Sequence, residues 1–70
     1  MKRRIDTPFK LTPKELETLH LIVKGLSNQG IASNLHVGIA TVYGRVNIIL
    51  QKLSVENRQE AVEKAIKQGY

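Results

Sequence analysis

The sequence predicts an all-α domain of four helices. Apolar residues recur at spacings of three and four in successive stretches, and each stretch opens near a capping residue. No stretch alternates with period two for long enough to be a strand. With 70 residues there is room for one small domain. A chain this short buries only about 60% of its unfolded surface, so every helix must contribute to a single core.

Residues 1–10 show no periodicity and contain Pro8, and Lys2, Arg3, Arg4 and Lys10 make them basic; they read as a flexible arm or a linker remnant. Order is expected from Leu11 onward. Thr12 is placed to cap, Pro13 fits the first helical position, and Glu15 completes a capping box. Leu11 and Leu16 form the matching hydrophobic staple, and apolar residues follow at 16, 19, 22, 23 and 26. Gly25 supplies a left-handed stop, which gives a first helix over about 13–24. Ser27 caps a short second helix over about 28–35, with Ile31, Ala32 and Leu35 on its apolar face. His36-Val37-Gly38 interrupts the pattern. Val42, Val46, Ile49 and Leu53 then form a one-sided stripe on a third helix over about 39–53, roughly 22 Å long at 1.5 Å per residue. Asn57 and Glu60 repeat the capping-box pattern. Ala61, Val62, Ala65 and Ile66 give a fourth helix over about 58–68, ending at Gly69.

Composition removes several function classes. There is no cysteine, hence no disulfide framework, thiolate zinc site or cysteine nucleophile. The two histidines, His20 and His36, lie sixteen positions apart and do not suggest a metal site. No nucleophile–base constellation supports an enzyme, Glu15 and Glu17 face different sides of a helix, and no cofactor is expected. No apolar run approaches the ~20 residues of a membrane span, and no signal peptide is expected from the Lys2-Arg3-Arg4 start. A reducing, cytoplasmic setting is expected. The formal charge is +5, from 11 Lys+Arg against 6 Asp+Glu. The acids are Asp6, Glu15, Glu17, Glu56, Glu60 and Glu63, so residues 18–55 contain none while carrying Lys24, Arg45 and Lys52. On charge alone, a polyanion partner and a merely basic soluble protein fit equally.

A short helix, a three-residue turn containing glycine and a longer helix make the helix-turn-helix pattern, whose second helix lies in the DNA major groove. Short turns also occur in helical bundles that bind no DNA. With the stripe turned inward, Thr41, Tyr43, Arg45, Asn47 and Gln51 fall on the flanks and outside of the third helix. All of them can donate hydrogen bonds, and none would repel phosphate. Ser27, Asn28 and Gln29 put polar groups beside the free N–H groups that open the second helix. A solvated polar face is the plainer account of each group; the absence of acids from 18 to 55 favours DNA.

The residues also resemble a known family. Leu11-Thr12-Pro13-Lys14-Glu15-Leu16-Glu17-Thr18-Leu19 is similar to the LTxRExEVL opening of LuxR/GerE-type bacterial transcription regulators. Gly25-Leu26-Ser27-Asn28-Gln29-Gly30-Ile31-Ala32 resembles that family's GxSNKEIA, and Thr41-Val42 its TVKxH. Lys52-Leu53-Ser54-Val55 with Asn57-Arg58 and Ala61-Val62 resembles KLxVxxRxxAV. The likeness covers residues 11–70. It implies a tetrahelical DNA-binding domain that reads an inverted repeat as a homodimer paired through the fourth helix. By position it puts Asn28, Gln29 and Thr41 near phosphates and Tyr43, Gly44 and Asn47 near base edges. Arg45 falls on the backbone-contacting histidine of TVKxH, and Lys52 on a lysine close to the DNA.

Several positions depart from the pattern. The usual glutamate before Ile31-Ala32 is Gly30, the usual serine or threonine cap of the third helix is Gly38, and the lysine after Thr41-Val42 is Tyr43. Gly44 costs roughly 1 kcal/mol relative to alanine in a helix interior. It reads either as drift or as a device for close approach to the groove. Dull readings also stand for His20 (an exposed helix face), His36 (a solvated turn) and Ile48 and Leu50 (packing on the first and fourth helices or on a dimer partner). The altered outer face leaves an alternative open, a protein-binding module that sequesters a partner regulator or a polymerase subunit. Members of the family commonly carry a receiver or ligand-binding domain ahead of this unit. The chain is therefore expected to be either a stand-alone regulator or the C-terminal part of a larger one.

Overall fold

The computed structural model describes residues 10–69; the arm residues Lys2, Arg3 and Arg4 lie outside them. Four helices appear among the described residues: α1 (Pro13–Val23), α2 (Asn28–Leu35), α3 (Ile39–Leu53) and α4 (Arg58–Gln68), with no strand. The boundaries match expectation except at the end of α1, where Lys24 is the cap rather than the last helical residue.

Local sequence sets the helix starts. Thr12 Oγ1 accepts the Glu15 N–H at 3.1 Å, and Glu15 Oε1 accepts the Thr12 N–H at 3.0 Å, a complete capping box. Ser27 Oγ accepts the Gly30 N–H at 3.1 Å, but Gly30 has no carboxylate to return the bond. Gly38 caps α3 with backbone alone. The box expected at α4 is shifted. Asn57 Oδ1 accepts the Glu60 N–H at 2.9 Å, yet the Glu60 carboxylate reaches back to the Glu56 N–H at 3.0 Å, one residue earlier than expected.

Helix ends are just as local. After α1, α2 and α3 the chain passes through one left-handed residue, respectively Gly25 (φ 95), His36 (φ 58) and Ser54 (φ 58). The next N–H then bonds back across the last turn: Leu26 to Leu21 O, Val37 to Ala32 O and Val55 to Leu50 O, at 3.0–3.2 Å. In the turn between α2 and α3 the left-handed residue is therefore His36, whereas Gly38 has extended backbone (φ −73).

α3 packs against all three other helices, and α1 also against α2 and α4; α2 and α4 do not pack on each other. The core is Leu19 and Ile22 of α1, Ile31 and Ala32 of α2, the stripe Val42, Val46, Ile49 and Leu53 of α3, and Ala61 and Ala65 of α4. Two alanines on α4 allow it to lie close against α1 and α3. Buried Thr18 satisfies its hydroxyl on the Lys14 carbonyl one turn back, at 2.9 Å.

Three polar ties fix the helices in relation to one another. Lys52 Nζ on the last turn of α3 donates to Glu15 Oε1 at 2.7 Å and to the Lys10 carbonyl at 3.1 Å. Arg58, the first residue of α4, donates to Asn28 Oδ1 and, at 2.6 Å, to the Leu26 carbonyl. Lys64 Nζ donates to the Leu53 carbonyl at 2.8 Å, where the C-terminal end of α3 attracts a cation. The Lys52 ammonium holds the Glu15 carboxyl below its ordinary value of 4.5; burial opposes the shift, and the Thr12 bonds assist it. Stability from this carboxylate is complete above the unfolded-chain value and is lost as pH falls through the lower folded one. Glu15→Gln keeps a capping side chain but removes the charge. It should lower stability by about 1–2 kcal/mol at pH 7, the difference between a charge-assisted and a neutral hydrogen bond. Urea titrations at pH 7 and pH 3 should show the gap between wild type and variant narrowing at the acid end.

Candidate nucleic-acid interface

Successive residues on a helix are turned by about 100°, so burying Val42, Val46, Ile49 and Leu53 points Ala40, Gly44, Asn47 and Gln51 away from the core. Tyr43 and Ile48 stand on either side of that outermost line, and Thr41, Arg45 and Lys52 fall along the Ile48 flank. Thr41, Tyr43, Gly44 and Asn47 are all exposed, Tyr43 by 55%, and Arg45 is half-buried. Four of the eight expected site residues therefore share the uncovered side of one helix, with Arg45 at its flank. The other expected surface is the start of α2, where Gln29 is exposed and Asn28 half-buried.

Arg45 lines a shallow cleft with Lys14 and Glu17 of α1 and Asn34, Leu35, His36 and Val37 at the end of α2. It forms no ion pair with any described residue. Lys52 differs from Arg45. Its ammonium is bound to Glu15 and the Lys10 carbonyl, so this lysine joins α3 to the start of α1 rather than standing open on the outer face. Asn28 likewise accepts from Arg58 at its Oδ1, which leaves its amide N–H groups for other partners.

Arg58 and the second role of Glu15 were not foreseen from the sequence. Arg58 carried a signal: a cation at the first position of a helix opposes the dipole, and such a residue needs a partner elsewhere. Glu15 carried none, because the capping box already accounted for it. The groups expected to be dull lie as expected at His20 and His36, both exposed, and Leu50 packs partly against the core. Ile48 does not pack there; it is 42% exposed. The described residues contain no cluster of His, Asp or Glu able to hold a metal, and no helix long and apolar enough to cross a membrane.

The model of the family described as bacterial regulatory proteins, luxR family, matches residues 10–65, which spans all of α1, α2 and α3 and most of α4. The chain belongs to the luxR family of bacterial regulatory proteins. Among its relatives are the response regulator protein VraR of Staphylococcus aureus (strain NCTC 8325 / PS 47) and that of Staphylococcus epidermidis (strain ATCC 35984 / RP62A). Each is 50% identical over 62 residues, which are 89% of this chain and 30% of the relative. The chain thus spans less than a third of the length of the curated relatives it matches.

Two departures from the luxR-family pattern have a structural reading. At Gly30 a Cβ would meet Leu26 and Ser27 at ordinary contact distances of 3.5 Å, so a side chain fits there. At Gly44 the space a Cβ would occupy is open to 4 Å. Packing therefore requires neither glycine. Gly44→Ala should raise stability by about 1 kcal/mol, which for a domain of this size lifts the melting temperature by roughly 4–8 °C. The DNA affinity of the same variant separates the two readings of Gly44: unchanged for drift, clearly lower if the groove demands a flat helix surface.

Proposed function

We propose that the chain binds double-stranded DNA sequence-specifically as a transcription regulator, with α3 in the major groove and the start of α2 against a phosphate. The observation that carries this reading is the two-sided character of α3. One side is closed by the stripe from Val42 to Leu53, and the other exposes Thr41, Tyr43, Asn47 and Gln51 with Arg45 on its flank and no acid on α2 or α3. Arg45 and the free N–H groups at the start of α2 supply phosphate contacts, and the amides supply base readout.

The same reading includes a homodimer on an inverted repeat, paired through α4. Ile66 supports it, because this α4 residue is 63% exposed and borders a surface depression with Val55, Glu63, Lys64 and Lys67. RNA polymerase or a partner regulator belongs to this reading as a further contact of the DNA-bound form.

Titration into duplex DNA at several salt concentrations tests the proposal, since counterion release makes such binding weaken steeply with salt. Arg45→Ala should weaken binding to all sequences alike and reduce the salt slope by about 1. An affinity that ignores salt would instead favour the protein-binding module. Ile66→Glu should abolish cooperative occupancy of a two-half-site duplex while leaving binding to a single half-site intact, measured by gel shift on both duplexes.

A further inference from the structure

The outermost surface of α3 is built of two parallel rows with a spacing of four. One row is Tyr43, Asn47 and Gln51; the other is Ala40, Gly44 and Ile48. All six residues are exposed. The side chains of Asn47 and Gln51 form no hydrogen bond with any described residue, so their full donor and acceptor capacity faces outward. Ile48 holds apolar surface in the open beside them, outside the core cluster. Neither row contains a lysine, an arginine or an acid. Arg45 sits to the flank, against the cleft formed with Lys14 and Glu17, and Lys52 is bound to Glu15.

Each base pair asks for different chemistry in the major groove. Guanine offers two acceptors, best met by the fork of an arginine or by a lysine, and the cytosine amino group suits a carboxylate. The two rows contain neither. Adenine offers an acceptor beside a donor, which a carboxamide matches with two bonds, and thymine offers a methyl group, which prefers an apolar neighbour. Amides in one row and methyl-bearing side chains in the next therefore complement adenine and thymine.

We propose that the half-site under α3 is rich in A·T pairs, with Asn47 and Gln51 as adenine readers and Ile48 as the contact for a thymine methyl. This rests on the DNA-binding reading above and adds the class of sequence bound and the residues that select it. Ile48 is a specificity residue here rather than a gap in the polar surface. Its methyl groups lose water against the thymine methyl, and a base without that methyl leaves them wet.

The test uses the 70-residue chain. Bound duplexes are selected from random sequence, and a selected duplex is then remade with uracil in place of single thymines, which removes only the methyl group. The expected selection is an A·T-rich half-site, and uracil at the contacted position should weaken wild-type binding by about three- to fivefold, the worth of one buried methyl group. Ile48→Ala should bind the thymine and uracil duplexes equally, with an unchanged salt slope. Asn47→Ala should relax selection at an adenine. The thymine-to-uracil ratio is measured within each variant, so any loss of folded protein cancels. A G·C-rich half-site, or a wild-type chain indifferent to uracil at every position, overturns the proposal while steep salt dependence keeps the DNA-binding reading. Absence of salt-dependent binding to any duplex overturns both.

Discussion

Val42, Val46, Ile49 and Leu53 lie along one side of α3, each 8% exposed or less, and each of the other three helices packs against α3. This burial is the constraint on which the rest of the molecule depends. A helix held on one side by apolar contact has its rotation fixed, because turning it by one residue, about 100°, would expose the stripe and bury amides. What faces outward follows from what faces inward. The small domain has no spare core to tolerate another arrangement, so the hydrophobic effect that stabilises the fold also aims the outer face of α3.

Apolar contact fixes rotation but leaves sliding and splay less well determined, and the polar ties act there. Lys52 and Glu15 link the last turn of α3 to the first of α1, across 37 positions of sequence. Arg58 links the start of α4 to the start of α2, two helices that do not otherwise pack on each other. A directional bond at the end of a helix has more leverage on its tilt than one at its middle. Together with the Lys64 bond to the Leu53 carbonyl, the Arg58 link ties the start of α2 to the end of α3 through α4.

Much of this was legible in the sequence because the signals are local. Thr12, Pro13 and Glu15 start α1, Gly25 stops it, and Ser27 and Asn57 start α2 and α4. The stripe on α3 predicted which of its residues would be uncovered, and Thr41, Tyr43, Gly44 and Asn47 are uncovered. Long-range partnerships were not legible. Lys52 looks in sequence like any cation near a candidate interface, and its commitment to Glu15 depends on how α1 and α3 cross. For Arg58 the need for a partner was legible but its identity was not, and the half-burial of Asn28 was hidden with it. The left-handed stops at His36 and Ser54 were hidden for a different reason: neither residue type advertises that conformation as glycine does.

Those stops bear on the route by which the chain acquires its shape. Each is closed by bonds spanning no more than five residues, so the ends of α1, α2 and α3 are set by short stretches of sequence. A topology whose boundaries are set by neighbours in sequence, and whose remote pairings are few, belongs among those that fold on the order of microseconds to milliseconds. A chain of this kind spends little time with its apolar stripe uncovered, which limits the opportunity for aggregation during synthesis.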